Sequence, residues 1–325
     1  MSQENSKRTV LVSVIIPAYN EASVIEHTIR EVQQVLDGCE IGYELIIVDD
    51  GSSDGMFATI SRMGKQYGRV KGIRFSRNFG KEAALLAGLK AAKGDAVITM
   101  DADLQHPPTL IPELLEKWRE GFKVVHGVKK DRQGDSIFTR WRAELYNYLL
   151  STLGGINMRN ASDFKLLDRV VVEVIVQQFP ERLRFYRGLA DWVGFEQAAI
   201  PFSVGLRKTG ESKWSLPSLT GLATTTIVSF TSAPLRIVSI LGLITLVFGT
   251  VVASEALFSW FRGKAVSGFV TIIITILIIG SFIMISLGIV GEYIAKMYEE
   301  IKGRPSYLVT SRFGFEDEAS SNRNE

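Results

Sequence analysis

Val97-Ile-Thr-Met-Asp-Ala-Asp-Leu-Gln-His-Pro-Pro108 is the stretch on which the reading of this chain turns. Val97 to Met100 is a short apolar run rich in β-branched residues, the pattern of a buried parallel strand. It ends abruptly at Asp101 and Asp103, and Pro107-Pro108 just beyond prevents the strand from continuing. Both carboxylates are therefore expected at the carboxyl edge of a sheet, where α/β folds bind ligands. Two carboxylates one residue apart repel, and burial raises that cost, so a compensating cation is expected; a divalent metal carrying a diphosphate fits. Taken alone, the D-x-D pattern is better read as a solvated turn with an acidic helix cap. Its neighbours along the chain reverse that preference.

Upstream, Val10 to Ile16 is an apolar β-branched run stopped by Pro17, followed by Ala18-Tyr19-Asn20-Glu21 and an amphipathic pattern over about Ser23 to Leu36. Tyr43 to Val48 is a second strand, ending in Asp49-Asp50-Gly51-Ser52-Ser53-Asp54-Gly55. Ser52 to Asp54 read as turn formers and helix caps. Asp49 and Asp50 instead repeat the pattern of acid at a strand's carboxyl end. A third strand spans Val70 to Phe75, then Ser76-Arg-Asn-Phe-Gly-Lys-Glu82 leads into an alanine- and leucine-rich helix. Arg77 and Lys81 read equally as phosphate contacts or as surface charges. Strand and helix thus alternate four times within 100 residues, which predicts a doubly wound α/β sheet. No G-x-G-x-x-G or Walker A sequence occurs, which weakens dinucleotide and P-loop readings.

Downstream, Leu110 to Glu120 reads as a helix and Lys123 to Gly127 as a fifth strand. Phe138 to Leu153 carries an aromatic and basic helical pattern suited to a membrane surface or to a core-facing helix. Asp168 to Gln178 is a further helix, and a strand-like region begins between Trp192 and Pro201. Arg207-Lys-Thr-Gly-Glu-Ser-Lys213-Trp214 is a basic loop containing glycine. Residues 215–235 read as an interfacial helix. Ile237 to Ser254 and Ala265 to Gly291 are uncharged and strongly apolar, each long enough to cross about 30 Å of hydrocarbon. They predict a transmembrane hairpin over 236–292, with spans at about 236–257 and 267–291. A hairpin leaves both chain ends on one side, and the basic residues flanking it place that side in the cytoplasm; Arg262 and Lys264 argue weakly against. Residues 293–325 are expected to form a cytoplasmic tail whose last dozen residues are disordered.

Bulk properties exclude several classes. The 325 residues carry a net charge of +2, so no nucleic-acid footprint appears. A single cysteine, Cys39, excludes an internal disulfide, and three histidines without a His/Cys cluster argue against zinc. Met1 to Thr9 is polar and is not a secretory signal. The mean hydropathy of +0.15 is high for a chain with this many charges, and the excess lies at the carboxyl-terminal end.

Pro17-Ala-Tyr-Asn-Glu21, Asp49-Asp-Gly-Ser, Asp101-Ala-Asp-Leu-Gln-His-Pro-Pro108 and Gly210-Glu-Ser-Lys-Trp214 together resemble glycosyltransferase family 2, and within it the polyprenyl-phosphate glycosyltransferases. Arg77-Asn-Phe-Gly-Lys-Glu82 with the hairpin is similar to the bactoprenol (undecaprenyl-phosphate) glucosyltransferase subgroup. The match runs over roughly residues 10 to 310. The resemblance implies a GT-A fold, with a catalytic domain over 10–214. It implies that Pro17, Tyr19, Glu21 and Asp50 hold the nucleotide base and ribose. Asp101 and Asp103 would bind Mg²⁺ or Mn²⁺ on the diphosphate, with Gln105 nearby on the nucleotide. Arg207 and Lys213 would grip donor and acceptor phosphates, and Asp163 matches the position of an acceptor base. Trp214 departs from the Tyr or Phe often found there. The implied partners are a nucleotide sugar, a polyprenyl phosphate and the membrane; a homo-oligomer, a tetramer by resemblance, is also implied.

The expected reaction is inverting transfer of a hexose at the cytoplasmic face. Glucose from UDP-glucose follows from subgroup resemblance alone; mannose, galactose and aminoarabinose donors are alternatives. A processive polysaccharide synthase needs more spans than two and a Q-x-x-R-W-type motif, which is not seen. A non-catalytic scaffold would be expected to lose an acid of the D-x-D pair, and both are present.

Overall fold

The computed structural model describes residues 10–129, 163–179, 186–202, 233–263 and 268–315. The chain divides into two compact units. One comprises Met1–Ser151, Gly155–Lys213 and Arg304–Glu325; the other comprises Thr152–Gly154 and Trp214–Gly303.

The first unit is built on four parallel strands, β1 (Leu11–Ala18), β2 (Gly42–Asp49), β3 (Val70–Phe75) and β4 (Ala96–Thr99). They alternate with α1 (Ala22–Asp37), α2 (Met56–Tyr67) and α3 (Lys81–Ala91), as the alternating pattern predicts. After β4 come a short 3₁₀ turn (Pro108–Leu110), α4 (Ile111–Arg119), β5 (Val124–Lys129), β6 (Lys165–Asp168), α5 (Arg169–Gln177), α6 (Tyr186–Trp192) and β7 (Gln197–Phe202). Among the described residues the sheet order is β7-β5-β6-β4-β1-β2-β3-β8, where β8 (Val309–Phe313) comes from beyond the second unit.

Alternation along β1 explains the layers. Val12, Val14 and Ile16 pack with Ile29 of α1, Ile60 of α2 and Leu114 of α4. Ile15, on the other face, packs with Ala84 of α3 and Val171 of α5. A strand buried on both faces is apolar almost throughout, which is why these strands read as near-continuous hydrophobic runs; the buried Ser13 of β1 and Glu44 of β2 satisfy each other, Ser13 Oγ donating to Glu44 Oε1 at 2.5 Å.

Two features differ from the sequence reading. Pro17 does not stop β1, which continues to Ala18 with Pro17 opposite Val48. The Ile15 carbonyl accepts from Met100 on the β4 side, so the missing Pro17 N–H, two residues on, faces that same side where β4 has already ended. The sheet is also mixed, because β6 runs antiparallel to β4 and β5, and β8 antiparallel to β3.

The order β3-β2-β1-β4 places a switch point between β1 and β4. The chain leaves β1 toward β2 on one side and later returns to lay β4 on the other. The loops after β1 and β4 therefore border a crevice at the carboxyl edge. Antiparallel β6, paired Thr99 to Lys165, begins where β4 ends, so Asp163 arrives at the same edge.

Residues 304–315 were expected to belong to a tail. Instead, β8 closes the β3 edge, the Leu308 carbonyl accepts from Ser76 N at 2.9 Å, and Tyr307 stacks on Phe75 at 4.8 Å. Covering an edge strand in this way removes unpaired backbone groups.

Among the described residues the second unit holds α7 (Ala233–Phe261) and α8 (Phe269–Ile301), which pack on each other. Both are long and apolar enough to cross a membrane, and Leu246, Val251, Leu277 and Leu287 are among their exposed side chains. α8 runs past the expected end of its span because the charged turns from Glu292 to Ile301 remain helical beyond the apolar stretch, and α7 continues through the uncharged Phe258-Ser-Trp-Phe261. The expected interfacial helix over 215–235 lies almost wholly outside the described residues, as does the pattern from Phe138 to Leu153.

Gly72 of β3 and Gly64 of α2 lie under the Phe313 ring, where an added Cβ at either would overlap it. Gly72→Ala should therefore loosen β8, since overpacking costs about 1–3 kcal/mol. Limited trypsin digestion of the detergent-solubilised protein should then cut at Arg312 about fivefold faster or more. An unchanged cleavage rate would mean that the ring turns aside without release of the strand.

Candidate active site

The loops after β1 and β2 are laced together before any ligand is considered. Asn20, at φ 54°, donates its N–H to Ser52 Oγ at 2.9 Å, and its side-chain oxygen accepts from Ser53 N at 3.0 Å. Asp54 accepts from Ala22 N and Met56 N, holding the first turns of α1 and α2 with one carboxylate. Asp54 thus holds helix starts, as its residue type suggested, while Ser52 and Ser53 tie the two loops together through Asn20. Gly51, at φ +73°, lies against the Arg77 backbone with no space for a Cβ.

Asp50 joins this scaffold to α3. Its two oxygens accept from Phe79 N at 2.7 Å and Gly80 N at 2.9 Å. Burial pushes its carboxyl up, against the opposing pull of those two N–H groups. Asp50 therefore anchors the loop that ends in Lys81. The Lys81 ammonium lies between two carboxylates, pairing with Asp101 Oδ1 and bonding Asp163 Oδ2 at 2.6 Å. Burial alone would lower its pKa, but Asp101 and Asp163 outweigh burial and hold it above the ordinary lysine value.

Asp101 and Asp103 occupy the loop predicted for them. Ala102 between them is buried, and its carbonyl accepts from Thr28 Oγ1 of α1 at 2.6 Å, which ties the loop down. Asp103 is exposed and accepts from Gln105 N at 3.1 Å. Leu104 takes φ 56°, an uncommon conformation for a branched side chain and a mark of local strain. Asp163 is buried, and its carbonyl accepts from Thr99 Oγ1 at 2.6 Å; that hydroxyl also meets Tyr186 Oη at 3.0 Å.

Glu21 reports the electrostatics of the crevice. Its pKa rises from 4.5 to about 7, first through burial, then through Asp103 and Asp101 facing it across the switch point. Lys81 offsets only part of that charge. Surplus negative charge from hard oxygen donors is the environment that suits Mg²⁺ or Mn²⁺. Asp101 and Asp103 can hold such an ion, with ligand oxygens completing the shell.

Of the other residues singled out in the sequence, Pro17 is buried at the end of β1 and Tyr19 is exposed at the crevice rim. Arg77 stacks over Phe79 at 4.3 Å. Arg207 and Lys213 lie outside the described residues. Sequence reasoning missed two neighbours of Asp101. The bridging role of Lys81 had only its place after a strand as a signal. His106, stacked on Phe164 at 5.2 Å with Nδ1 3.9 Å from Asp101 Oδ2, had none. His126 is buried beside Lys165 and held neutral, its pKa lowered to about 4 first by burial.

Several known proteins are similar to this chain. The family model for glycosyl transferase family 2 matches residues 13–175. An uncharacterized glycosyltransferase of Synechocystis sp. is 39% identical over 310 residues, covering 95% of this chain and 97% of its own. A prophage-derived bactoprenol glucosyl transferase of Shigella flexneri is 36% identical over 306 residues, covering 92% of this chain and 97% of its own. Glucosyl-3-phosphoglycerate synthase of Mycobacterium tuberculosis, solved with Mn²⁺, UDP-glucose and phosphoglyceric acid, is 22% identical. It covers 67% of this chain and 78% of that one, with a TM-score of 0.47.

The raised Glu21 pKa has a defined sign. A carboxyl that binds its proton more tightly in the folded state adds stability below about pH 4.5, and loses it as pH rises through about 7. Glu21→Gln should therefore raise the thermal midpoint of the metal-free protein at pH 8 and leave it nearly unchanged at pH 5. An equal shift at both pH values would contradict the assignment.

Proposed function

The chain belongs to glycosyltransferase family 2, and on that premise we propose that it transfers a hexose, glucose, from a nucleotide sugar, UDP-glucose, to a polyprenyl phosphate at the cytoplasmic face of a membrane. The observation that carries this reading is the gathering of Glu21, Asp101, Asp103 and Asp163 at one sheet edge, with Lys81 paired to Asp101 and Asp163. The acceptor class is supported by two apolar helices with exposed side chains and by the name of the Shigella flexneri relative.

In this reading Pro17, Tyr19 and Glu21 line the nucleoside side of the crevice, with Gln105 at its far rim. Asp50 contributes chiefly by fixing the loop from Phe79 to Lys81. Asp101 and Asp103 hold Mg²⁺ or Mn²⁺. An ion bound there would neutralise charge developing on the leaving diphosphate. The acceptor phosphate is already mostly ionised near neutral pH, its second pKa being about 6, so it needs little help from a base. Asp163 is committed to Lys81, which suits an orienting role better than proton abstraction. Attack opposite the leaving group inverts the anomeric carbon. Arg207 and Lys213 supply phosphate contacts beside the membrane, a role that rests on their sequence position.

Connectivity supports the orientation. The chain leaves the sheet unit after Lys213 and rejoins it at Arg304, so a two-span hairpin starts and ends on the catalytic side. Nucleotide sugars are cytosolic, which places that side in the cytoplasm and only Ser254 to Gly268 outside.

Purified protein given undecaprenyl phosphate and a panel of labelled nucleotide sugars should yield lipid-extractable label from UDP-glucose. Asp103→Asn should lower that rate by about 10²-fold or more while the protein stays folded. No lipid label from any donor would overturn the acceptor class, and full activity in excess EDTA would overturn the metal. For orientation, Cys39 is first replaced. A cysteine at Ser267 should then react with an impermeant reagent in intact cells, and one at Ser306 should not. The reverse pattern would contradict the cytoplasmic assignment.

A further inference from the structure

The carboxylates at the sheet edge leave one cation to explain. Lys81 stands at the start of α3, and its backbone is pinned on several sides. Asp50 accepts from the two preceding N–H groups, Glu82 Oε2 accepts from Tyr186 N at 2.8 Å, and the Phe79 ring meets Phe75 edge-on at 5.8 Å. From this fixed base a flexible four-carbon stem carries the ammonium; the Lys81 side chain as a whole is 39% exposed, against 6% for that of Asp163. The side chain can therefore shift while its backbone cannot. One of its partners, Asp163, is almost sealed, whereas the other, Asp101, opens to the crevice at 28% exposure.

We propose that Lys81 is a positioning residue that serves as a resident counter-cation, shared between Asp101 and Asp163 in the empty enzyme and yielding Asp101 when a divalent cation arrives. The inference rests on the reading above that Asp101 and Asp103 seat that cation. An ammonium on Asp101 competes with the ion for the same carboxylate, so empty protein binds the bare metal weakly. The ion gains when a diphosphate arrives with it and supplies further oxygens. Lys81 then stays on Asp163, which keeps that buried carboxylate paired and oriented toward the acceptor side throughout. One side chain thus links occupation of the donor seat to the posture of the acceptor-side acid, and the preference for ion and nucleotide together follows from charge alone.

A salt bridge serving only the fold would make a different prediction. Removing its ammonium would destabilise the protein and weaken or leave unchanged the binding of metal. Here, Lys81→Met, which keeps the stem and removes the charge, should bind Mn²⁺ more tightly in the absence of nucleotide. The expected change is about tenfold or more, since one unit charge a few Å from a divalent ion repels it appreciably even after screening by solvent at this part-exposed side chain. Lys81→Arg keeps the charge and should stay near wild-type affinity. With saturating Mn²⁺, Lys81→Met should lower kcat for transfer far more than it changes KM for the nucleotide sugar.

The test is electron paramagnetic titration of Mn²⁺ into the full-length, detergent-solubilised protein without nucleotide. It compares wild type, Lys81→Met, Lys81→Arg and Asp103→Asn, with Lys81→Gln replacing the methionine variant should that one fail to fold. Tighter binding in the neutral variants, with arginine like wild type, supports the proposal. Binding that is lost in Asp103→Asn but unchanged or weaker in the neutral variants overturns it and leaves the metal seat standing. No Mn²⁺ binding in wild type or in the neutral variants overturns the metal seat and this proposal together.

Discussion

Repulsion among carboxylates gathered at one sheet edge is the constraint from which the rest of the site follows. Glu21, Asp101 and Asp103 come from loops on opposite sides of the switch point, and Asp163 enters from antiparallel β6. Such crowding is unfavourable for folding alone, since each charge raises the cost of ionising the next. The chain answers it in two ways. Lys81 bridges Asp101 and Asp163, and Glu21 retains its proton up to about pH 7. Neither response removes the surplus, and a ligand that brings positive charge is the remaining route to relief.

The scaffold around these groups limits their freedom to relax apart. Thr28 holds the Ala102 carbonyl, Thr99 holds the Asp163 carbonyl, and Asp50 and Asp54 fix the first turns of the adjoining helices. Leu104 keeps a left-handed conformation in the middle of the acidic loop. Local strain and unrelieved charge in the same few residues are the pattern expected where structure is held for binding rather than for stability alone.

Much of this was legible along the chain, for identifiable reasons. Val12 to Ile16, Leu45 to Val48 and Val97 to Thr99 are buried on both faces, so they carry near-continuous apolar runs, broken by Ser13 and Thr99, and the acids beyond their ends stand out against them. What escaped was set by distant partners. Pro17 is tolerated within β1 only because β4 has already ended beside it. β6 is four residues long, and its antiparallel direction depends on β4 and β5 rather than on its own composition. β8 follows a long apolar helix and looks like a polar tail until Gly64 and Gly72 are seen to make room for Phe313. Lys81 differs from an ordinary surface lysine only in that Asp163, 82 residues later, lies within its reach.

The proposed reaction draws on both units. In the reading proposed above, two apolar helices with exposed side chains suit a lipid acceptor, and the acidic edge suits a donor that arrives with a cation. The more exacting claim is electrostatic: the donor diphosphate is held through a cation and not by the protein alone. Calorimetric titration of UDP into the detergent-solubilised protein, with and without Mn²⁺ or Mg²⁺, tests it most directly. The account predicts binding with the cation and a loss of tenfold or more in affinity without it, about 1.4 kcal/mol or greater. Equal affinity in both conditions would contradict it.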